Sequence, residues 1–260
     1  MIREAAAVSL QGKRALVTGG SKGIGAVIAQ TFAVAGVDVA IVGRDSLGLE
    51  RTQEAVVAAG RECLIIKADL ATVEGVRAAG VAALAHAERW DILVNNAGIF
   101  KVVPLLKITP DEWDTTQAVN LRAVLLLSQV LVPQMLLRRS GKIINISSVG
   151  AFLGTPGFGE YTASKGGLNQ LTRTMAVEWG SYNVQANAVC PTVILTESNL
   201  KFWDDPAWAE QQKAKSARIP MHRFGEPQEV ADLVLFLASP AADFINGVTI
   251  PVDGGLLAAP

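Results

Sequence analysis

Seven short runs of apolar and β-branched residues recur along the chain, at 14–18, 37–42, 63–68, 91–94, 142–147, 184–189 and 248–252. Stretches with helical character follow most of them, at 25–35, 46–59, 73–89, 161–180 and 227–237. A further helix is predicted from the capping box Thr109-Pro110-Asp111-Glu112 to about Arg139, with a bend at Pro133. The apolar runs do not alternate with polar residues. Continuous apolar strands are buried on both faces, as in a parallel sheet covered by helices. The β-α-β repetition therefore predicts a doubly wound α/β architecture. At 260 residues, with no linker or repeat, residues 1–260 read as one domain. Residues 196–223, which hold Trp203 and Trp208, break the rhythm and read as an irregular inserted binding loop.

Composition removes several function classes. Half the residues are hydrophobic and 18% are charged, which excludes disorder. Lys plus Arg number 23 against 24 Asp plus Glu, so no basic excess exists for a nucleic-acid partner. Two cysteines cannot form a disulfide framework; Cys63 and Cys190 sit among apolar neighbours and read as inert core thiols. The uncharged stretch Ala123 to Leu137 contains Ser128, Gln129, Pro133 and Gln134 and reads as too short and too polar for a span of about 20 residues. The first residues lack a signal-peptide pattern, so no membrane partner and a cytoplasmic location are expected. His86 and His222 stand apart, and no metal site is expected.

The chemistry starts at the first strand's end. Thr18-Gly19-Gly20-Ser21-Lys22-Gly23-Ile24-Gly25 joins it to the first helix. Glycines at 19, 23 and 25 allow a tight turn and close backbone approach to a ligand. The helix N-terminus then offers N–H groups and a partial positive charge to a pyrophosphate. At the second strand's end, where an acid usually holds a ribose 2′-hydroxyl, the chain has Gly43-Arg44. Asp45 reads as a helix N-terminal residue. Arg44 can pair with a 2′-phosphate, so NADP(H) is expected over NAD(H).

Tyr161 and Lys165 lie four apart, on one helix face with about 6 Å between Cβ atoms. A nearby ammonium is expected to lower the phenol pKa and make Tyr161 a proton carrier near neutral pH. Alone, Tyr-x-x-x-Lys is common on amphipathic helices. Here Ser148 ends a buried strand at the sheet's carboxyl edge, where ligands of such folds bind. Ser147 would point to the other face. Asn120 sits inside a helix, a poor place for Asn on propensity.

Together, the Gly-x-x-x-Gly-x-Gly turn, Asn95-Asn96-Ala97-Gly98, Asn120, Ser148 and Tyr161-Thr162-Ala163-Ser164-Lys165 resemble the short-chain dehydrogenase/reductase family from about Leu10 to Leu257. The resemblance implies a Rossmann-type, seven-stranded parallel sheet. It implies catalysis by Asn120, Ser148, Tyr161 and Lys165, with Asn120 holding a water in a relay with Lys165. It also implies that Lys165 and Tyr161 meet the nicotinamide ribose, alongside Gly19, Ser21, Lys22, Gly23, Ile24 and Gly25 at the phosphates. Asp69 and Leu70 would flank the adenine; Asn96, Ala97 and Gly98 would line the ribose side. Pro191, Ile194 and Thr196 would approach the carboxamide, although Thr192 stands where the family usually has Gly. Pro191-Thr192, Trp203-Asp204-Asp205-Pro206 and Arg218-Ile219-Pro220 are similar to loops of xylulose reductases and carbonyl reductases.

The expected reaction is reversible hydride transfer between a small secondary alcohol or ketone and a nicotinamide cofactor. A sugar, polyol or dicarbonyl is the expected substrate class, in a partly apolar pocket drawn from Val149, Gly150, Phe152, Phe158 and Trp203. Reduction of a 3-oxoacyl group on a carrier protein is the alternative, with Lys101, Lys107, Arg138 and Arg139 as candidate basic docking residues. A non-catalytic nucleotide sensor on this fold is a remoter one. The family also implies a homotetramer built on the two long helices.

Overall fold

The computed structural model describes residues 10–197 and 209–259. Seven strands form one parallel sheet: β1 (Arg14–Thr18), β2 (Asp38–Gly43), β3 (Cys63–Lys67), β4 (Ile92–Asn95), β5 (Gly141–Ile146), β6 (Val184–Pro191) and β7 (Thr249–Val252). Their spatial order is β3-β2-β1-β4-β5-β6-β7. The order reverses between β1 and β4, which opens a crevice at the strands' carboxyl ends. Central strands are buried on both faces, β6 along all eight residues. That is why their sequences are apolar without alternation. Pro251, which lacks an N–H, lies in the edge strand β7.

Helices cover both faces. α1 (Gly23–Val34), α2 (Ser46–Ala58) and α8 (Pro227–Ala238) enclose one core around Ile28, Phe32, Leu49 and Val234. α3 (Val73–His86), α5 (Ala123–Arg138) and α6 (Gly159–Trp179) enclose the other around Leu93, Leu127, Met135 and Leu168. α4 (Pro110–Gln117) starts at the expected capping box, with Thr109 and Glu112 satisfying each other's backbone N–H groups.

The helix from Pro110 runs on through Pro133 to Arg138, and its departure from α geometry is a π turn at Ala118–Arg122. By length and composition alone this 29-residue run is long and apolar enough to cross a membrane, although its uncharged stretch Ala123 to Leu137 spans only 15 residues. It packs on the sheet, with Leu127, Leu131 and Met135 fully buried. Within 196–223, the described part is not all irregular: Ala209–Ala217 forms a helix, α7. A run of good helix formers, Glu210-Gln211-Gln212-Lys213, accounts for it.

Candidate active site

The glycine turn is a cradle that side chains would fill. Gly19 and Gly23 have φ of +67° and +57°, the left-handed region that favours glycine. A Cβ at Gly25 would collide with the Gly19 carbonyl and the Asn96 amide. Lys22 occupies the N-cap of α1 in extended conformation and gives no side-chain cap, whereas Asp45 caps α2 and Thr72 caps α3. The first-turn N–H groups of α1 therefore lack a capping side chain, as a pyrophosphate site requires. Thr196, far along the chain, places its methyl 3.2 Å from a Cβ built on Gly23. The segment after β6 thus closes over the turn, and the residues present fit a dinucleotide.

Thr18 carries more of this geometry than its sequence position signalled. Its hydroxyl accepts hydrogen bonds from the backbone N–H groups of Asn96 and Ala97, at 2.9 and 3.0 Å. The Asn96 amide donates to the carbonyls of Thr18 and Gly19. Asn96 thus braces the glycine turn with its side chain instead of presenting that side chain to a ribose. At the end of β2, Asp45 accepts from Gly48 N–H at 3.2 Å, the helix-terminal role expected of it. Arg44 is exposed and, among the described residues, forms a 3.8 Å ion pair to Asp69. Such a long, solvated pair is weak, so the guanidinium can be redirected. Lys22 is exposed, whereas Leu70 is buried beside Thr18 and Ala97.

The four proposed catalytic residues converge from three elements at the carboxyl edge. Ser148 follows β5, and its Oγ accepts from Gly150 N–H at 3.0 Å. Ser147 points away, donating to the Lys165 carbonyl at 3.3 Å. Asn120 lies inside the π turn, fully buried. Its Oδ1 accepts from Ile99 N–H at 2.8 Å, and its Nδ2 donates to Ile99 O and Ser164 Oγ. A residue disfavoured in a helix interior is held there by bonds from other segments on both sides of its amide. Asn120 Oδ1 and Lys165 Nζ both lie 3.5 Å from a Cβ built on Gly98. One buried network anchors α6: Asn95 donates to Asn145 at 2.8 Å, and Asn145 donates to Thr172 at 2.9 Å.

The electrostatics differ from the expectation. Burial pushes the Tyr161 phenol above its ordinary value, and its hydrogen bond with Ser148 offsets this only in part. The Lys165 ammonium does not lower it. That ammonium donates to the Ile146 carbonyl at 2.7 Å and sits 5.7 Å from the centre of the tyrosine ring. Burial instead pushes Lys165 down to about 8. Near neutral pH the site therefore presents a protonated phenol.

Lys165 gives a stability signature in cofactor-free protein. An unfolded lysine keeps its proton to about pH 10.4. From pH 8 to 10 the unfolded chain thus binds the extra proton, and stability rises with pH by up to about 1.4 kcal/mol per pH unit. Tyr161, shifted upward, does not oppose this below its ordinary value near 10. Cys63 and Cys190, raised by burial, pull the other way above about pH 8.5. The Lys165 contribution is therefore read as a difference: in denaturant titrations from about pH 8 to 10, the stability of wild type minus that of Lys165→Met should rise with pH.

Cys190 is not among apolar neighbours. Its buried thiol faces Asn169 Oδ1 at 3.8 Å and hydrogen-bonds with Ser147, close to the Lys165 charge. The sequence concealed this because Ser147 and Asn169 arrive from other elements. Burial raises its pKa, and raises that of half-buried Cys63 to about 11. Among the described residues, no cluster of three or more His, Cys, Asp or Glu could hold a metal.

Of the pocket candidates, Gly150 lies against Tyr161, where a Cβ would come 3.5 Å from the ring. Phe158 packs edge-on to Tyr161, Val149 is half-buried, and Phe152 is exposed. Trp203 and the 203–206 loop lie outside the described residues. Pro191 ends β6, Ile194 is buried and bridges to Gly225, and Thr192 donates to Val252 O at 3.1 Å. Thr192 has no positive φ, so its backbone does not require glycine. The basic candidates do not gather here. Arg138 and Arg139 end α5 at the edge where strands begin, bonded to the carbonyls of Trp90 and Ser181. Lys101 is paired with Glu112, and Lys107 is exposed on a separate turn.

A family model described as enoyl-(acyl carrier protein) reductase matches residues 19–257. 2-Dehydro-3-deoxy-D-gluconate 5-dehydrogenase of Escherichia coli (strain K12) is 39% identical over 254 residues, 97% of this chain and 98% of that protein. L-xylulose reductase of Bos taurus is 39% identical over 253 residues, 96% and 98% of the two chains. The chain belongs to the short-chain dehydrogenase/reductase family. Among solved members, a gluconate 5-dehydrogenase from Burkholderia cenocepacia J2315, in complex with NADP and tartrate, superposes with a TM-score of 0.89. It is 38% identical, covering 97% of this chain and 98% of that one. Family membership makes the chemistry nicotinamide-dependent oxidoreduction between alcohol and ketone carbons.

Proposed function

We propose that this short-chain dehydrogenase/reductase acts as one domain that interconverts a small secondary alcohol and its ketone, with NADP(H) preferred to NAD(H). The convergence of Ser148, Tyr161 and Lys165 beside the glycine cradle is the observation that carries the reading. When bound, the nicotinamide supplies a hydride acceptor or donor at C4. Tyr161 gives its phenolic proton to the substrate oxygen during reduction and takes it back during oxidation. Ser148 holds that oxygen by a hydrogen bond. Lys165 lies beside the tyrosine ring with one donor on the Ile146 carbonyl, and its buried ammonium has donors to spare for the ribose hydroxyls. Asn120 keeps the π turn in shape beside Lys165, where a water relay would run.

The relatives named above are a dehydro-deoxygluconate dehydrogenase, an L-xylulose reductase and a gluconate dehydrogenase, which supports a small hydroxylated or carbonyl substrate. The carrier-linked alternative loses support because Arg138 and Arg139 face the opposite sheet edge. The test is a panel of polyols, sugars, ketones and 3-oxoacyl thioesters, followed by absorbance of the reduced nicotinamide. Turnover confined to the thioesters would reverse the choice.

Assembly is a second part of the reading. Trp113, Leu125 and Val177 stay exposed on α4, α5 and α6, Val177 at 83%. Apolar side chains on long paired helices favour burial against another copy. Light scattering at micromolar concentration should give the mass of a homotetramer; a monomer mass would refute it.

A further inference from the structure

Three aromatic rings meet at the proton-transfer group. Phe100 and Phe158 have ring centroids 5.7 Å apart. Each is set edge-on to Tyr161, at 5.9 and 6.3 Å with interplanar angles of 68° and 69°. Phe100 is 61% exposed and Phe158 is half-buried, so both keep surface to offer. The backbone builds this wall. Val103 pairs with Phe158, and its N–H donates to Gly157 O at 2.8 Å. Gly157 turns there at φ +81°. The segment after β4 is thereby tied to the segment leading into α6, bringing Phe100 to a ring sixty-one residues later in the sequence.

The neighbouring cation is engaged elsewhere. Lys101 holds Glu112 Oε1 at 3.2 Å, and the same carboxylate completes the cap at Thr109. Phe100 and Phe158 therefore flank the Tyr161 ring, and among the described residues the ammonium next to Phe100 is paired with Glu112. Aromatic faces gain free energy by covering C–H surface. They offer nothing to replace the hydration of a carboxylate, which is costly to strip without a partner.

We propose that this site selects a neutral ketone or secondary alcohol with an apolar or C–H-faced ring flank, and rejects sugar acids. This rests on the alcohol/ketone reading above and narrows it. It also separates this chain from the relatives named for gluconate substrates.

The test compares methyl 4-oxocyclohexanecarboxylate with 4-oxocyclohexanecarboxylate, which share a ring and a ketone and differ in charge. 5-Keto-D-gluconate is the third substrate, and each is assayed with NADPH and with NADH. The ester should exceed both acids in kcat/KM by at least about 50-fold. Phe100→Ala should lower ester kcat/KM about tenfold, chiefly through KM, because lost packing weakens binding and leaves proton transfer in place. Phe100→Arg should raise the acid-to-ester ratio at least about tenfold by supplying the missing cation. Phe100 is exposed enough that both variants should fold, which circular dichroism and NADPH binding check. Equal or better use of either acid by wild type overturns the proposal and leaves hydride transfer standing. An acid-to-ester ratio unmoved in folded Phe100→Arg also overturns it. No turnover of any ketone with either cofactor, in wild type as in Tyr161→Phe, would defeat the underlying oxidoreductase reading as well.

Discussion

Tyr161→Phe should lower turnover by at least about 100-fold, the usual worth of a positioned proton donor. The substitution keeps the ring and its edge-on contacts with Phe100 and Phe158, so folding and cofactor binding should persist. The pH dependence distinguishes lost chemistry from lost packing. Burial pushes the phenol above its ordinary value, so the neutral-pH site is ready to donate a proton. Reduction should therefore be sustained at neutral pH, and oxidation, which needs the tyrosinate, should speed up as pH rises. Both limbs should vanish in Tyr161→Phe. Near wild-type turnover of the variant, with chemistry rate-limiting, would remove Tyr161 from the mechanism.

Arg44→Ala should weaken NADPH roughly 10- to 100-fold while changing NADH little, because one charged hydrogen bond to a phosphate is worth about 1.5–3 kcal/mol. Two observations support Arg44 as the discriminating group. It extends from the end of β2 with the long Asp69 pair to release. Asp45, the acid that follows Arg44 in the chain, is occupied in capping α2. The decisive quantity is the ratio of kcat/KM for NADPH and NADH, in wild type and variant. Wild-type preference for NADH, or an equal loss with both cofactors, would reject the phosphate site.

Much of the fold was legible because it rests on local patterns. Apolar runs without alternation marked strands buried on both faces, and seven of them form the sheet. The Thr109 capping box and Asp45 are caps whose partners lie three residues away, within reach of a sequence pattern. The glycines of the turn were legible for the same reason: their backbone requirement is set within a few residues. The π turn at Ala118–Arg122 was not, because it depends on Asn120 bonding Ile99 and Ser164, 21 and 44 residues away. Phe100 was missed because its one signal, following Asn95-Asn96-Ala97-Gly98, says nothing about the ring it meets.

The sequence by itself thus determined which residue types stand at the sheet's carboxyl edge: the glycine cradle, Ser148, Tyr161 and Lys165. Tertiary structure decided their charge states and neighbours. Tyr161 is pushed up and Lys165 down because both are buried, and desolvation disfavours the charged form of each. Cys190 lies beside Ser147 and Asn169, and Phe100 beside Tyr161, because separate elements converge there. Periodicity and capping act over three or four residues of chain. Desolvation and ring contacts act through space, and depend on what the whole fold brings to the site.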